Sequence, residues 1–319
     1  MSRIATALLA LFAGSLLAAP LHAEDGLKFR FKAKTGEKRY YEVSSKMEMS
    51  QKIAGMDLDT KMDSKQTVER EVTEPTEDGT ITLRDRTLRL QMTSNFPGVG
   101  EYKYDSKSTD NNDGSAIGAA IAPLYDAISG AITDITLTPQ GDVKKAKGLA
   151  EAVKGAIGNN PIAQQFAAGA DNDEAVAHGM KEHFIQFPEK ALAAGDEWEV
   201  PFEFTLPKLG KATGTTKYKY EGIDEESKRK GLHKFSFTSS MDFDLDLKTE
   251  QVKATGKLKI SDSSGTALFD AAAGRLISKK SKTTVGGDLN IDAGGMTIAI
   301  QQEQTQHIEL KVLDGPPED

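Results

Sequence analysis

The chain has 319 residues, a formal net charge of −8, 38% hydrophobic residues and no cysteine. Without thiols it has no disulfides, thiolate metal sites or thiol catalysis, so a core alone must hold the fold; a chain this long can build one large or two ordinary domains. The acidic balance argues against binding nucleic acid or anionic membranes by charge.

The opening run MSRIATALLALFAGSLLAAPLHA reads as a secretory signal peptide over residues 1–23. Arg3 is its basic start, Ile4 to Leu17 its apolar run, and Leu21-His22-Ala23 its cleavage signal, which predicts Glu24 as the new N-terminus. No cysteine follows the apolar run to take a lipid anchor, and no later segment approaches the roughly 20 apolar residues of a membrane span. The expectation is an exported protein, periplasmic or secreted after cleavage near Ala23, with no stable membrane insertion.

Alternation with a period of two then dominates. Leu27, Phe29 and Phe31 alternate with Lys28, Arg30 and Lys32, which predicts a half-buried strand, and Thr35-Gly36-Glu37 turns the chain into Tyr40-Tyr41-Glu42-Val43. In KMEMSQKIAGMDLDTKMD, residues 46–63, Met56, Leu58, Thr60 and Met62 share one face, and Ala54-Gly55 sits where a hairpin reverses. The run EPTEDG ends the next strand, and alternation resumes with Ile81, Leu83, Leu88, Leu90 and Met92.

Near Ser108 the period changes. STDNNDGS is a polar loop, after which Ile117, Ile121, Leu124, Tyr125 and Ile128 fall on one helical face. ITDITLTPQGDVKKAKG predicts a hairpin turning at Pro139-Gln140-Gly141, and residues 148–184 read as helical again, with Asp171 or Asp173 as a cap. From Phe187 the strand pattern returns, and Gly195-Asp196-Glu197-Trp198 echoes the Gly36 turn. GMDLDTKMDSKQTVEREV (55–72) and GMTIAIQQEQTQHIELKV (295–312) align without gaps, as a duplicated unit would.

The expected fold class is therefore mainly β (α+β), two curved antiparallel β-sheet units joined by a helical connector. Residues 24–147 form the first unit with a helical insertion near 115–130, 148–186 the connector, 187–314 the second unit and 315–319 a disordered tail.

The segments GEKRYYEVSSKMEMSQKIAGMDLDTKMDS, LTPQGDVKKAKG, FPEKALAAGDEWEVPFEF and GTALFDAAAGRLISKKSKT together resemble a family of exported bacterial proteins of unknown function, of the planctomycete type. These are strand and turn patterns, so the resemblance implies an exported β-rich protein and brings no activity, cofactor or site residues with it. A looser likeness is to the half-barrel carriers of envelope lipoproteins.

Four of the nine methionines, Met47, Met49, Met56 and Met62, lie in one stretch. Thioethers suit Cu(I), but His178, His183, His233 and His307 are all distant in sequence, so the methionines read as the apolar side of a hairpin. Asp242, Asp244 and Asp246 alternate with Phe243, Leu245 and Leu247; three carboxylates on one face could hold Ca²⁺, yet a solvated face is the plainer reading. STDNNDGS fails as a calcium loop: with Gly114 sixth, Ala120 stands twelfth, where a glutamate is required. His178 and His183 are five apart, unlike the i, i+4 pair of a zinc helix, and Trp198 reads as a core anchor.

The chain has no G-x-S-x-G elbow, H-E-x-x-H, P-loop or G-x-G-x-x-G. The expectation is thus a non-enzymatic protein with no catalytic, cofactor-binding or metal residues. Its role would be a binding or carrier module of the cell envelope, partnered by an apolar small molecule or an envelope protein and not by nucleic acid. A hydrolase whose site assembles only in the fold, or a structural protein without a small ligand, are the alternatives.

Overall fold

The computed structural model describes residues 26–317, apart from 74, 77, 99, 112–113, 159, 161–162, 165–166, 168, 207–209, 228, 249–251 and 294–295. The signal segment 1–23 and the last two residues of the expected tail lie outside the described residues.

The chain is mainly β, as its alternation predicts, and its strands form one antiparallel sheet. In chain order they are β1 (Lys38–Ile53), β2 (Met56–Val72), β3 (Ile81–Phe96), β4 (Gly100–Asp105), β5 (Ile132–Leu137), β6 (Val143–Lys147), β7 (Glu197–Leu206), β8 (Gly210–Ile223), β9 (Leu232–Lys248), β10 (Val252–Asp270), β11 (Arg275–Ala293) and β12 (Met296–Leu313). Their spatial order is β6-β5-β3-β2-β1-β12-β11-β10-β9-β8-β7, with β4 beside β3. The two strand-rich regions are therefore halves of a single 12-stranded sheet. They join where β1 pairs with β12, from Tyr40↔Leu313 to Ile53↔Ile300.

Among the described residues the helices are α1 (Ala116–Gly130), which lies between β4 and β5 within the first half, and α2 (Leu149–Ile157) and α3 (Asp173–Lys181), which lie between the halves in sequence. Ser115 caps α1 by accepting from the Gly118 N–H at 2.8 Å, and Asn172 caps α3 through the N–H groups of Glu174 and Ala175. α1 packs on β3 and β4, α2 on α1 and β6, and α3 on both β6 and β7. Since β6 and β7 are the two ends of the strand order, the sheet must curl until one helix spans the seam between its edges. Both edges are unsuited to further pairing: β6 is short and carries Lys144, Lys145 and Lys147, and β7 contains Pro201.

Side chains of a strand alternate between faces, and the face turned toward the helices, here called inner, carries the core. Phe29, Phe31, Phe187, Tyr220, Phe235 and Phe269 cluster there, with Phe29 edge-on to Phe235 at 5.0 Å and stacked on Phe187 at 5.4 Å. The expected strand over Leu27 to Phe31 is an extended segment without a ladder. Its backbone bonds scatter, Leu27 exchanging both with Leu192, Phe31 N–H donating to Pro139 O and Lys32 N–H to Gly274 O, because the segment threads through the core instead of joining the sheet.

The echo between the Gly36 and Gly195 turns is real at the level of hydrogen bonds. Gly36 N–H donates to Val72 O and Val72 N–H to Glu37 O; Gly195 N–H donates to Tyr220 O and Tyr220 N–H to Asp196 O. Both glycines have positive φ, 76° and 93°, the left-handed region open to glycine.

Candidate functional site

The inner face gathers charges that an apolar core would not hold unpaired. Arg70, on β2 between Val68 and Val72, is buried and forks onto Asp85 of β3, its Nε and Nη2 donating to the two carboxylate oxygens at 2.7 Å each. Its guanidinium lies between the rings of Tyr41 and Phe184, at 4.8 and 5.0 Å from their centroids. Burial alone would lower its pKa, and Asp85 more than reverses that, so the charge stays. Lys279 of β11 is buried too, donating to Glu182 O at 2.5 Å and Phe184 O at 3.0 Å while sitting 4.7 Å from the Phe237 ring. Desolvation lowers its pKa, opposed by Glu182. These two cations tie the segment after α3 onto the sheet, Lys279 by satisfying carbonyls at a helix C-terminus.

Beside this cluster is a cavity of about 100 Å³. Tyr41, Val43, Gln66, Val68, Arg70, Asp85, Thr87, Thr133 and Leu310 wall it from the sheet, Ile128 from α1, and Leu149, Met180 and His183 from the connector. Gln66 Nε2 donates to Thr87 Oγ1 at 2.6 Å. The His183 ring makes no hydrogen bond to a described residue. Desolvation, then the Arg70 charge, push its pKa down to about 4.

Toward the hairpin tips the helices no longer cover the inner face. Met47 opposes Met62 across β1 and β2, and Met49 opposes Thr60. Met47, Met49 and Met62 are half-buried, whereas Met56 is 61% exposed at the turn. Met296 (69%) and Ile298 (36%) continue the same rim on β12. Packing on the apolar side of a hairpin is thus the geometry of three of the four methionines, and Met56 departs from it because it stands at the tip.

The other singled-out residues separate. Asp242, Asp244 and Asp246 are exposed on the outer face, with Asp242 and Asp244 paired to Lys259 and Lys257 at 3.1 and 3.3 Å, while Phe243 between them is buried. His178 stacks on Phe204 at 3.9 Å, bridging α3 to β7. His233 Nδ1 meets Tyr220 OH at 2.6 Å, and His307 is exposed on the outer face. The structure brings none of the four histidines to the methionines. Trp198 is a core anchor, stacked on Tyr218 at 5.2 Å with its Nε1 donating to Gln186 O at 2.8 Å. In the polar loop, Asn112 and Asp113 lie outside the described residues, and Asn111 bonds back to Asp105 and Ser108. Among the described residues no three His, Asp or Glu side chains are placed to share a metal ion. No described helix is long and apolar enough to cross a membrane.

A broader outer-face groove of about 650 Å³ is lined by Lys217, Lys219, Lys280 and Lys282 above a floor of Ser and Thr. Each lysine is paired with an acid, to Glu199, Glu221, Glu309 and Asp262 respectively, so the groove presents little net charge.

Missed by sequence reasoning were Arg70, Asp85, His183 as a cavity wall, and Lys279. Arg70 did leave a signal, since Val68-x-Arg70-x-Val72 puts a cation in the apolar phase of a strand.

Comparison with known proteins returns one family and distant structures. Lipovitellin, in a structure titled for its lipid–protein interactions, matches at a TM-score of 0.40 and 8% identity over 90% of this chain, which spans 26% of the lipovitellin chain. An outer membrane channel from Pseudomonas putida F1 matches at 0.23 and 7% identity, covering 91% of this chain and 98% of its own. Pseudomonas aeruginosa OccK2 matches at 0.25 and 5%, covering 89% and 100%. TM-scores this low do not establish a shared fold. No curated protein matches. Residues 78–293, well over half of the sequence, match a family model, and the chain belongs to the family of unknown function DUF6263.

Proposed function

We propose that this protein is a non-enzymatic binding module, exported to the cell envelope, that carries an apolar molecule on the inner face of its sheet. The observation that supports this is the half-exposed strip of Met47, Met49 and Met62 on the inner face, with the exposed Met56, Met296 and Ile298 beyond it at the hairpin tips. A folded protein gains roughly 25 cal/mol for each Å² of such surface removed from water, and thioethers adapt to guests of irregular shape. Export rests on the apolar run within residues 1–23, and the likeness to half-barrel carriers belongs to the same reading.

The test is titration with the apolar fluorophore N-phenyl-1-naphthylamine. Saturable enhancement is expected, and Met47→Glu with Met62→Glu should weaken it at least tenfold, since a charge in the strip must be desolvated. Absence of saturable binding in the wild type, or equal binding in a double variant with a normal melting curve, would count against the proposal.

A further inference from the structure

We infer that the inner face seats a single-chain amphiphile with an uncharged, hydrogen-bonding head, the head in the cavity at Gln66, Thr87, Thr133 and His183 and the tail along the methionine strip. This rests on the carrier reading above and names its ligand class.

Cavity and strip lie in one lane. Val43, on the cavity wall, is followed on the inner face of β1 by Ser45, Met47 and Met49; Gln66 on β2 is followed by Ser64 and Met62; Leu310 on β12 by Ile308 and Gln306. At about 3.4 Å per residue, Val43 to Met49 spans about 20 Å. An acyl chain occupies half of a hydrocarbon core about 30 Å thick, so one chain fits this length. The lane is three strands wide, about 10 Å between the outer two, which suits one chain rather than a pair.

The head is identified by what the cavity leaves unspent. Thr133 is buried, and neither its hydroxyl nor the His183 ring hydrogen-bonds to a described residue. Gln66 uses its amide N–H on Thr87, and its carbonyl oxygen remains an available acceptor. The one full cation on the wall, Arg70, already forks onto Asp85. A charged head would therefore enter a desolvated space without a counter-ion, whereas hydroxyls or an amide would satisfy Thr133, Gln66 and His183 at no charge cost. A volume of about 100 Å³ admits a small head and excludes a sugar chain.

Competition against bound N-phenyl-1-naphthylamine at pH 8 decides it, using 1-monooleoylglycerol and oleate, which share a tail and differ in the head. Monooleoylglycerol should displace the fluorophore at about one-tenth the concentration of oleate. Thr87→Val, and separately Thr133→Val, should weaken monooleoylglycerol about three- to tenfold, the worth of one hydrogen bond, and leave the fluorophore and oleate unchanged. Two near-isosteric variants are used so that a folding defect in one, seen in its melting curve, leaves the other informative. Equal or stronger binding of oleate, or an unchanged preference in both folded variants, would overturn this inference while fluorophore binding keeps the carrier reading standing. Failure of the fluorophore to bind at all removes both.

Discussion

His183 shows how much one side chain can owe to its surroundings. In sequence it is one of four scattered histidines; in the fold it is held neutral, its pKa about 4 against an ordinary 6.5, by desolvation and by Arg70. The unfolded chain therefore binds a proton between pH 6.5 and 4 that the folded chain refuses. The stability contributed is full above pH 6.5 and is lost as the pH falls toward 4, by roughly 3 kcal/mol at most. Desolvation also lowers the pKa of His178 and of His233, which adds in the same direction. Chemical denaturation at pH 7.5 and 4.5 should show His183→Gln losing markedly less stability on acidification than the wild type; equal losses would contradict the assignment. Lys279 makes the opposite point. Leu276 faces the core, and strict alternation would turn Lys279 outward. A register shift between Phe269↔Leu276 and Leu268↔Ser278 leaves Ile277 as an extra residue and swings Lys279 inside. Hydrophobic pattern alone cannot place such a residue.

At the scale of elements the sequence is more informative. The apolar phase of β3 passes from Ile81 and Leu83 to Leu88, Leu90 and Met92, odd positions to even, and the structure has a register shift there, between Thr67↔Arg89 and Val68↔Thr87. The β1–β2 turn also falls where Ala54-Gly55 predicts it, with Ile53 pairing Met56 and φ of 51° and 87° at the two central residues, as a type I′ turn requires. Ala54 is costly there, because an L-residue with a Cβ in the left-handed region loses about 1–2 kcal/mol that asparagine partly recovers. Ala54→Asn should raise the melting temperature by a gain of about 0.5–1 kcal/mol without altering ligand binding. A fall in stability would show that the turn has another geometry. The Leu27 to Phe31 segment is the counterexample: its alternation matches a strand, yet its neighbours in space are loops and core rings rather than a strand.

For the whole molecule the decisive contact is β1 with β12. It makes the two halves one sheet, and it buries the edge that each half would otherwise present. A chain ending at residue 186 would retain β1, β2 and β3 but leave the 16-residue β1 as an open edge. Such a fragment should self-associate at micromolar concentration by light scattering, while the full chain stays monodisperse; a monomeric, cooperatively folding fragment would show that the halves are independent. At the far ends α3 does the equivalent work, with His178 on Phe204 closing the seam between β6 and β7.

Alternation and helical spacing by themselves determined the fold class, the helical insertion in the first half and the helical character of the segment between the halves, and the apolar side of the methionine hairpin. Each of those follows from which neighbours a residue has within its own element. The single sheet, the inward turn of Lys279, the Arg70–Asp85 pair and the cavity beside His183 were decided only by the tertiary structure. They depend on pairings between residues far apart in the chain, such as Tyr41↔Val312, and the energy of a buried charge is set by what surrounds it in space.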